Sequence, residues 1–270
     1  MRGVIVKQIS NDYSVLCDGS VYVCKPRGRF RRDGISPLTG DYVEFDNNYI
    51  LDILPRKNVL KRPPVANVDK AIIITSVREP DFSSNLLDKL LTVLSIQNIH
   101  PVIVFSKLDL CDEDFSSIIN YYRGVGYEVY LNTDLDEIKS VFKDSFCVFT
   151  GQSGAGKSTL LNKLDPNLNL KTNEISKALN RGKHTTRHTE SLPLFGGMVA
   201  DTPGFSAIDL SVFTSSLIKN SFPEFNVSCK YSDCMHIKEE GCTVKKLVSD
   251  GTILQSRYDN YVKFVRECGK

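Results

Sequence analysis

The segment GQSGAGKS, residues 151–158, has the residue types and spacing of a phosphate-binding loop. It matches G-x-x-x-x-G-K-[ST], in which glycines let backbone N–H groups turn towards phosphate oxygens. Lys157 can reach the β- and γ-phosphates, and the hydroxyl of Ser158 can bind Mg²⁺. An apolar stretch over residues 145–150 precedes the loop and a helical pattern follows it, a context that a chance glycine-rich turn lacks.

A four-residue segment upstream carries the chemistry of base recognition. Ser106-Lys107-Leu108-Asp109 resembles the N-K-x-D guanine-recognition motif, with serine in place of asparagine. Asp109 can accept hydrogen bonds from N1 and N2 of guanine, and adenine has no such donor edge. The motif therefore predicts GTP rather than ATP, although taken alone it also fits a solvated lysine and a helix-capping aspartate. Ser106, and Leu131-Asn132-Thr133 where an S-A motif is typical, predict weaker contacts with the base.

A third segment, Asp201-Thr202-Pro203-Gly204, follows a strand predicted to end at Ala200. Phosphoryl-transfer sites place an acidic residue near Mg²⁺ and a loop near the γ-phosphate at this point. A D-x-x-G match is also compatible with a plain strand-to-turn exit. We expect Asp201 to support Mg²⁺ through water and to form a nucleotide-sensing switch together with Gly204.

Hydrolysis requires an oriented water molecule, and Ras-type GTPases place a glutamine after D-x-x-G for this task. This chain has Phe205, whose apolar ring cannot orient water, so we expect slow intrinsic turnover and dependence on a partner. His184, in the polar stretch 181–189, is the predicted water-positioning residue, and Thr185 or Thr186 is expected to complete the Mg²⁺ shell. The alternative for His184 is an exposed loop histidine that contacts RNA or nothing.

The predicted site residues divide by role and follow an unusual order along the chain. The catalytic residues are His184 and Lys157, the Mg²⁺ residues are Ser158, Thr186 and Asp201, and the switch residues are Asp201 and Gly204. The nucleotide-binding residues are Ser106, Lys107, Leu108, Asp109, Gly151, Gln152, Ser153, Gly154, Ala155, Gly156, Lys157, Ser158 and Thr159. Base recognition precedes the phosphate loop here, whereas it follows the loop in ordinary small GTPases. This order predicts a circularly permuted domain.

Four side chains of metal-ligand type crowd near the C-terminus: Cys229, Cys234, His236 and Cys242. Three thiolates and one imidazole can complete a tetrahedral zinc shell and leave no open position for a reactive water molecule. We therefore predict one structural zinc ion, against the alternative of buried free thiols with an incidental histidine.

Positive charge is concentrated near the N-terminus. Residues 1–62 carry 11 Lys and Arg against 7 Asp and Glu, although the whole chain has a net charge of only +2. Cations neutralise phosphates, and an aromatic ring can stack on a base. We predict an RNA-binding loop here, for which a solvated basic loop is the alternative on charge alone. Its residues are Lys25, Arg27, Arg29, Phe30, Arg31 and Arg32.

The elements that must position these residues fall into three segments. Residues 1–62 contain five short β-type runs separated by turn residues, which favours a small barrel, either an OB-fold or an SH3-like barrel. The sequence KRPP, residues 61–64, predicts an extended linker. Residues 63–208 alternate apolar strands with helical stretches such as 84–96, the pattern of a parallel α/β sheet. Residues 209–270 show a mostly helical pattern around the Cys/His cluster.

The chain resembles the RsgA (YjeQ) family of circularly permuted GTPases, which depend on the small ribosomal subunit. The resemblance spans essentially the whole chain and rests on GQSGAGKST (151–159), RGKHTTR (181–187), DTPGF (201–205), FPEF (222–225), RYDNY (257–261) and the Cys/His cluster. It implies an N-terminal OB-fold barrel that binds RNA (1–62), a central circularly permuted P-loop GTPase α/β domain (63–208) and a C-terminal, mostly helical zinc-binding domain (209–270).

The resemblance also implies a function: binding of the small ribosomal subunit and its rRNA, assistance in late maturation, and ribosome-stimulated hydrolysis of GTP to GDP and phosphate. Two alternatives stay open, a nucleotide-gated rRNA-binding module with incidental hydrolysis and a permuted GTPase that serves the large subunit. The composition, 41% hydrophobic and 24% charged, is typical of a soluble globular protein. We expect a cytoplasmic monomer with no membrane contact, one zinc ion, and Mg²⁺ bound with GTP.

Overall fold

The computed structural model describes residues 1–46, 48–61, 64–111, 114–166, 191–200 and 209–268. The strands are β1 (Arg2–Ile9), β2 (Asp12–Cys17), β3 (Ser20–Pro26), β4 (Tyr42–Asp46), β5 (Tyr49–Ile53), β6 (Val59–Lys61), β7 (Pro64–Ala66), β8 (Lys70–Ser76), β9 (His100–Ser106), β10 (Glu128–Leu131), β11 (Phe146–Gly151), β12 (Ser191–Leu194) and β13 (Gly197–Ala200). The helices are α1 (Gly28–Arg32), α2 (Ser84–Ile96), α3 (Ser116–Val125), α4 (Leu135–Val141), α5 (Lys157–Leu164), α6 (Ser215–Asn220), α7 (Thr243–Ser249) and α8 (Gln255–Glu267). In these ranges we find no helix with the length and apolar character needed to span a bilayer.

The N-terminal barrel closes through five strands in the order β1-β2-β3-β5-β4. Neighbouring strands are antiparallel except for β3 and β5, which pair in parallel. Inward side chains such as Ile5, Val15 and Phe45 are fully buried and fill the interior. The OB-fold predicted from the short strands is confirmed. Strand β1 contains one extra residue, Val6, because Ile5 pairs with Val15 while Lys7 pairs with Ser14.

The segment between the barrel and the central sheet is extended, as predicted, but it is paired and packed. Strands β6 and β7 form an antiparallel hairpin. Leu60 and Val65 on this hairpin are buried in the same hydrophobic core as one face of the central sheet. The Ala66 N–H also donates to the carbonyl of Thr39 in the barrel over 2.9 Å. The hairpin is therefore fixed to both neighbouring units.

The central sheet has six strands in the order β10-β9-β8-β11-β13-β12, and all pairs are parallel except β12 with β13. Ala71, Ile72, Ile73 and Ile74 of β8 are completely buried, the pattern of a strand that is covered on both faces. Helices α2 and α3 cover one face, and α4 and α5 cover the other. The predicted parallel α/β sheet is confirmed. Leu87, Leu90, Leu91 and Leu94 form the buried face of α2, as their spacing predicts.

The C-terminal helices enclose a separate aromatic core. Phe222, Phe225, Tyr261 and Phe264 are buried in it, and Phe222 and Phe225 stack with ring centroids 5.0 Å apart. Helix α8 runs along this core and also contacts α2 of the central sheet. Two helices of 13 residues each therefore contact one another at the interface between the C-terminal region and the sheet.

Arg257 on α8 lies at this interface and is 1% exposed. Its Nη1 donates to Asp88 of α2 and its Nε donates to Glu224, both over 2.7 Å. The guanidinium carbon also lies 4.4 Å from the centroid of the Phe222 ring. Burial lowers the pKa of Arg257, but the carboxylates of Asp88 and Glu224 raise it well above its usual value. The guanidinium therefore stays charged.

Asp88 is equally well satisfied, although it is completely buried. Besides Arg257, it accepts hydrogen bonds from the Tyr122 hydroxyl over 2.7 Å and from the Asn260 amide over 2.6 Å. These donors come from α3 and α8, so one carboxylate joins three helices. A buried network of this kind is stable only in the docked arrangement, because separating the helices would leave charges without partners.

We predict that Arg257→Ala destabilises the protein by about 3–5 kcal/mol, since it leaves two buried carboxylates unpaired. Urea unfolding followed by circular dichroism measures this loss. Lys89→Ala is the matched control, because Lys89 forms a partly exposed ion pair with Glu267 between the same two helices, and its loss should cost about 1 kcal/mol or less. Equal effects of the two variants would contradict the assignment of Arg257 as the anchor.

Candidate functional site

The predicted nucleotide-binding segments lie at one edge of the central sheet. Ser106 ends β9, Gly151 ends β11, and Ala200 ends β13. Strand β8 lies between β9 and β11, and β13 follows β11 on the other side. Because the carboxyl ends of parallel strands meet at one edge, segments that are distant in sequence are brought side by side. The permuted order of the motifs is compatible with a single site at this edge.

The phosphate loop joins β11 to α5, and its backbone conformation depends on glycine. Gly151 has φ of +128°, and an added Cβ would lie 2.0 Å from the carbonyl oxygen of Ile74 in the neighbouring strand. Gly156 has φ of +95° and directly precedes Lys157, the first residue of α5. Residues with a Cβ atom rarely adopt such φ values, which explains why the motif has glycine at these two positions. The loop opens onto the N-terminus of α5, where backbone N–H groups favour anions.

Lys157 folds back over the loop that it follows. Its ammonium group donates to the carbonyl oxygens of Gly151 over 3.1 Å and Gln152 over 3.0 Å. This position holds a positive charge above the loop. Ser158, in the first turn of α5, is 8% exposed, and Thr159 is exposed. The predicted phosphate-binding residues therefore form one continuous turn of backbone with the lysine over it.

Ser106 connects the base-recognition segment to the phosphate loop. Its hydroxyl donates to the carbonyl oxygen of Ala155 over 2.6 Å, and the side chain is 3% exposed. The sequence predicts that Ser106 weakens contacts with the base. The structure shows that its hydroxyl forms a bond inside the protein, across 49 positions of sequence. The sequence shows that the side chain of residue 106 can form a hydrogen bond, but the partner of that bond could not be inferred without the fold.

The rest of the base-recognition segment forms a 3₁₀ turn, Leu108–Leu110. Lys107 has a left-handed backbone (φ 59°), and its ammonium group donates to the carbonyl of Glu79. Asp109 is exposed on the turn, where its carboxylate is available to a ligand. The segment Leu131-Asn132-Thr133 begins at the last residue of β10, and the Asn132 N–H donates to the Phe105 carbonyl of β9 over 2.9 Å.

Several predicted residues lie outside the described residues. They are His184, Thr185, Thr186, Asp201, Gly204 and Phe205. Chain continuity still fixes where their segments begin and end, because Asp201 directly follows Ala200 of β13 and residue 190 directly precedes Ser191 of β12.

The second candidate site is the Cys/His cluster, whose four ligand atoms all lie within 4.8 Å of one another. The Nδ1 atom of His236 lies 3.4 Å from the sulfurs of Cys234 and Cys242 and 3.5 Å from that of Cys229. The sulfurs of Cys229 and Cys242 are 4.0 Å apart. In a tetrahedral metal shell these atoms lie about 3.6–3.8 Å apart. The donor set therefore fits a metal ion, and each donor comes from the residues that the sequence singled out.

The protonation properties of the cluster also favour a cation. Burial raises the pKa of Cys234 to about 12, and burial together with nearby Lys219 lowers the pKa of His236. The imidazole is therefore neutral, the form that binds metals. Burial acts to raise the pKa of Cys229, but hydrogen bonds from Thr243 and Val244 at the start of α7 lower it below its usual value. A cation among these groups would offset the cost of the buried thiolates.

The local fold explains how the cluster is held. His236 has a left-handed backbone (φ 60°), which makes a tight turn only two residues after Cys234. The ring of Phe225 packs edge-on against the imidazole, with centroids 5.7 Å apart. The hydroxyls of Tyr258 and Tyr261 on α8 donate to the backbone carbonyls of His236 and Met235. The cluster is thereby tied to the helix that carries Arg257.

The structure contradicts part of the prediction for the RNA-binding segment. Its residues 28–32 form the short helix α1 rather than a loop, and Phe30 is only 5% exposed because its ring fills the barrel core. The prediction that Phe30 stacks on a base is therefore wrong. Arg29 lies over this ring at 5.2 Å and pairs with Asp52 over 3.2 Å. The remaining basic residues with described side chains are exposed: Lys25, Arg27 and Arg32.

Comparison with protein families gives two matches along the chain. A family model described as RsgA GTPase matches residues 53–211, and one described as RsgA N-terminal domain matches residues 2–49. The chain is 48% identical over 282 residues to the small ribosomal subunit biogenesis GTPase RsgA of Enterococcus faecalis, covering 99% of this chain and 95% of that protein. It is 45% identical over 283 residues to the protein of the same name from a Geobacillus species, covering 98% and 97%.

Solved structures give the same result. The crystal structure of YloQ, a circularly permuted GTPase, matches with a TM-score of 0.82 and 38% identity, covering 98% of this chain and 94% of that one. The crystal structure of YjeQ from Thermotoga maritima matches with a TM-score of 0.85 and 35% identity, covering 98% and 97%. The sequence relatives and the solved structures therefore both match nearly the whole chain.

We predict that Cys234→Ser lowers the bound metal, measured by elemental analysis, from about one equivalent to well below one. The same variant should unfold at lower urea concentration, because metal binding contributes on the order of 10 kcal/mol to the folding of such sites. Cys111→Ser is the control, since Cys111 is a free, partly buried cysteine that is not in the cluster. Full metal retention in Cys234→Ser would exclude this residue as a ligand.

Proposed function

Since the chain belongs to the RsgA family of GTPases, we propose that it binds the small ribosomal subunit, assists the late maturation of that subunit, and hydrolyses GTP to GDP and phosphate with stimulation by the subunit. The observation that carries the proposal is the bond between Ser106 and Ala155. It joins a phosphate-binding loop to a segment with an exposed aspartate, as a guanine-nucleotide site requires. The chain matches nearly the full length of relatives named small ribosomal subunit biogenesis GTPase, which supports the choice of the small subunit over the large one.

In the proposed nucleotide site, each described residue has a physical role. The backbone of the loop and the N-terminus of α5 bind the phosphates, and Lys157 neutralises charge on the β- and γ-phosphates. Asp109 selects guanine, and Lys107 covers the base with its aliphatic stem. Ser158 would hold Mg²⁺, which neutralises charge that develops on the phosphates. Thr186 and Asp201 are proposed to complete or support that shell, and Gly204 to act with Asp201 as the switch.

We propose that hydrolysis without a partner is slow. Phe205 occupies the position at which Ras-type enzymes carry the glutamine that orients water. His184 is the proposed substitute, and it acts when the ribosomal partner is bound.

We further propose that the metal of the Cys/His cluster is zinc and that its role is structural. Three cysteines and one histidine are a set that zinc commonly takes, and they fill a tetrahedral shell. No ligand position is left for an activated water molecule. The ion would stabilise the turn between Phe225 and α7, and through α8 the face that contacts the central sheet.

The proposed RNA-binding surface is the exposed basic part of the barrel. Lys25 lies on β3, and Arg27 follows that strand. Arg29, Arg31 and Arg32 follow on α1, where they add positive charge next to the same strand. We propose a monomer that acts in the cytoplasm, where small ribosomal subunits mature.

The proposal predicts that purified small subunits raise the GTP turnover number on the order of 100-fold or more, the size of effect that one properly oriented group supplies. Turnover is measured by phosphate release with small subunits, with large subunits, and without RNA. ATP serves as the nucleotide control, because it has no donors for Asp109. Binding of small subunits without stimulation would favour the alternative of a nucleotide-gated rRNA-binding module, and stimulation by large subunits alone would refute the choice of subunit.

The barrel assignment predicts that Arg27→Glu weakens small-subunit binding about tenfold and lowers the slope of log affinity against log salt by about 1, since one phosphate contact is lost. Sedimentation at several salt concentrations measures both quantities. Lys139→Glu on α4 is the control for a reversed charge away from the barrel, and GTP affinity should stay unchanged in both variants. Equal losses in the two variants would show that only net charge matters.

A further inference from the structure

The barrel touches the central sheet at its antiparallel edge strand, β12. The hydroxyl of Ser191, the first residue of β12, donates to the carbonyl oxygen of Val6 in β1 over 3.0 Å. Ser191 is 6% exposed and Val6 is half-buried, so the bond is partly shielded from water. A partly shielded bond between two units is worth more than a fully exposed one, because water competes less for either partner.

The Val6 carbonyl is available because of the bulge in β1. Val6 is the extra residue between the Ile5–Val15 and Lys7–Ser14 pairs, so it has no partner position on β2. A β-bulge commonly turns a backbone group or a side chain out of the regular ladder. Here the bulge lies opposite the start of β12. The contact is therefore built from a specific irregularity of the barrel and a specific hydroxyl of the sheet.

Strand β12 directly follows one of the proposed γ-phosphate segments in the chain. Strands β12 and β13 form a hairpin in which Ser191 pairs with Ala200. The residues that precede Ser191 include the proposed water-positioning His184, and the residue that follows Ala200 is Asp201. The bond to the barrel thus lies at the point where both proposed γ-phosphate segments join the sheet.

The surroundings of the contact leave room for a small change of position. A cavity of about 320 Å³ lies beside it, lined by barrel residues including Ile5 and Tyr42 and by sheet residues including Phe146 and Met198. The barrel is held elsewhere by the β6–β7 hairpin, where the Ala66 N–H bonds the Thr39 carbonyl. With the β6–β7 hairpin as a fixed point, a displacement of the barrel on binding RNA would reach β12 through the hydroxyl bond beside this cavity.

We propose that Ser191 is a positioning residue for ribosome-stimulated hydrolysis: its bond to the β1 bulge transmits binding of the barrel to RNA into the β12–β13 hairpin and the segments attached to it. Ser191 does not contact the nucleotide. This inference rests on the proposed function, because it needs a ribosomal partner that binds the barrel.

The test compares Ser191→Val with Ser191→Thr, since these two side chains have the same shape and differ only in the hydroxyl. Both are β-branched and suit a strand. We expect Ser191→Val to lower the stimulation of GTP turnover by small subunits about fivefold, the factor that corresponds to one ordinary hydrogen bond. Ser191→Thr should retain the wild-type stimulation. Turnover without subunits, GTP affinity and small-subunit affinity should be unchanged in both variants.

The controls separate the possible outcomes. Ser140→Ala removes a hydroxyl whose bond stays within α4, and it should leave stimulation intact. If wild-type protein is not stimulated by small subunits, the proposed function fails rather than the role of Ser191. If wild-type protein is stimulated and Ser191→Val is stimulated equally, the role of Ser191 is refuted. Weaker subunit binding or a loss of thermal stability that accounts for the effect in Ser191→Val also refutes it, because either would show a purely structural contact.

Discussion

The burial of Arg257 is the constraint on which the arrangement of the C-terminal region depends. A guanidinium removed from water needs charge and hydrogen-bond partners in fixed positions, and here they come from α2 on one side and from the turn at Glu224 on the other. The same guanidinium covers the Phe222 ring, which stacks on Phe225, and Phe225 packs on the imidazole of the metal cluster. A continuous line of contacts therefore runs from the metal ligands to the helix that follows β8.

This line explains how the C-terminal region holds a definite orientation relative to the sheet. A metal ion would fix the turn that contains His236, the aromatic rings transmit that shape to α8, and the buried charges fix α8 against the sheet. Each step is short-ranged and specific. Changing the metal site should thus affect the docking of the region, whereas the sheet, whose core is separate, does not depend on it.

The sequence was most informative where chemistry forces a residue type. Glycines at 151 and 156 are required by backbone geometry, and a metal site accepts few residue types as donors, so the spacing identified both the loop glycines and the Cys/His cluster that could hold a metal ion. The barrel strands and the parallel strands of the central sheet were predicted from short apolar runs, and α2 from the spacing of its leucines, whereas β6, β7 and β12 were not predicted as strands. The role of Phe30 was wrong because an aromatic residue between arginines resembles an RNA contact, and only the closed barrel shows that the ring faces inward. The partners of Ser106, Ser191 and Arg257 are distant in sequence, so no local pattern could have revealed them.

The contact between the barrel and β12 has a consequence for how the chain can be divided. An edge strand presents unpaired N–H and C=O groups that attract the edges of other sheets, and proteins usually cover or interrupt such edges. Strand β12 forms one edge of the central sheet, and the barrel lies against it through Ser191 and Val6. The barrel thus covers the start of this edge as well as carrying basic residues. A fragment that lacked the first five strands would uncover β12, and its difficulty would be self-association in solution rather than loss of the nucleotide-binding residues.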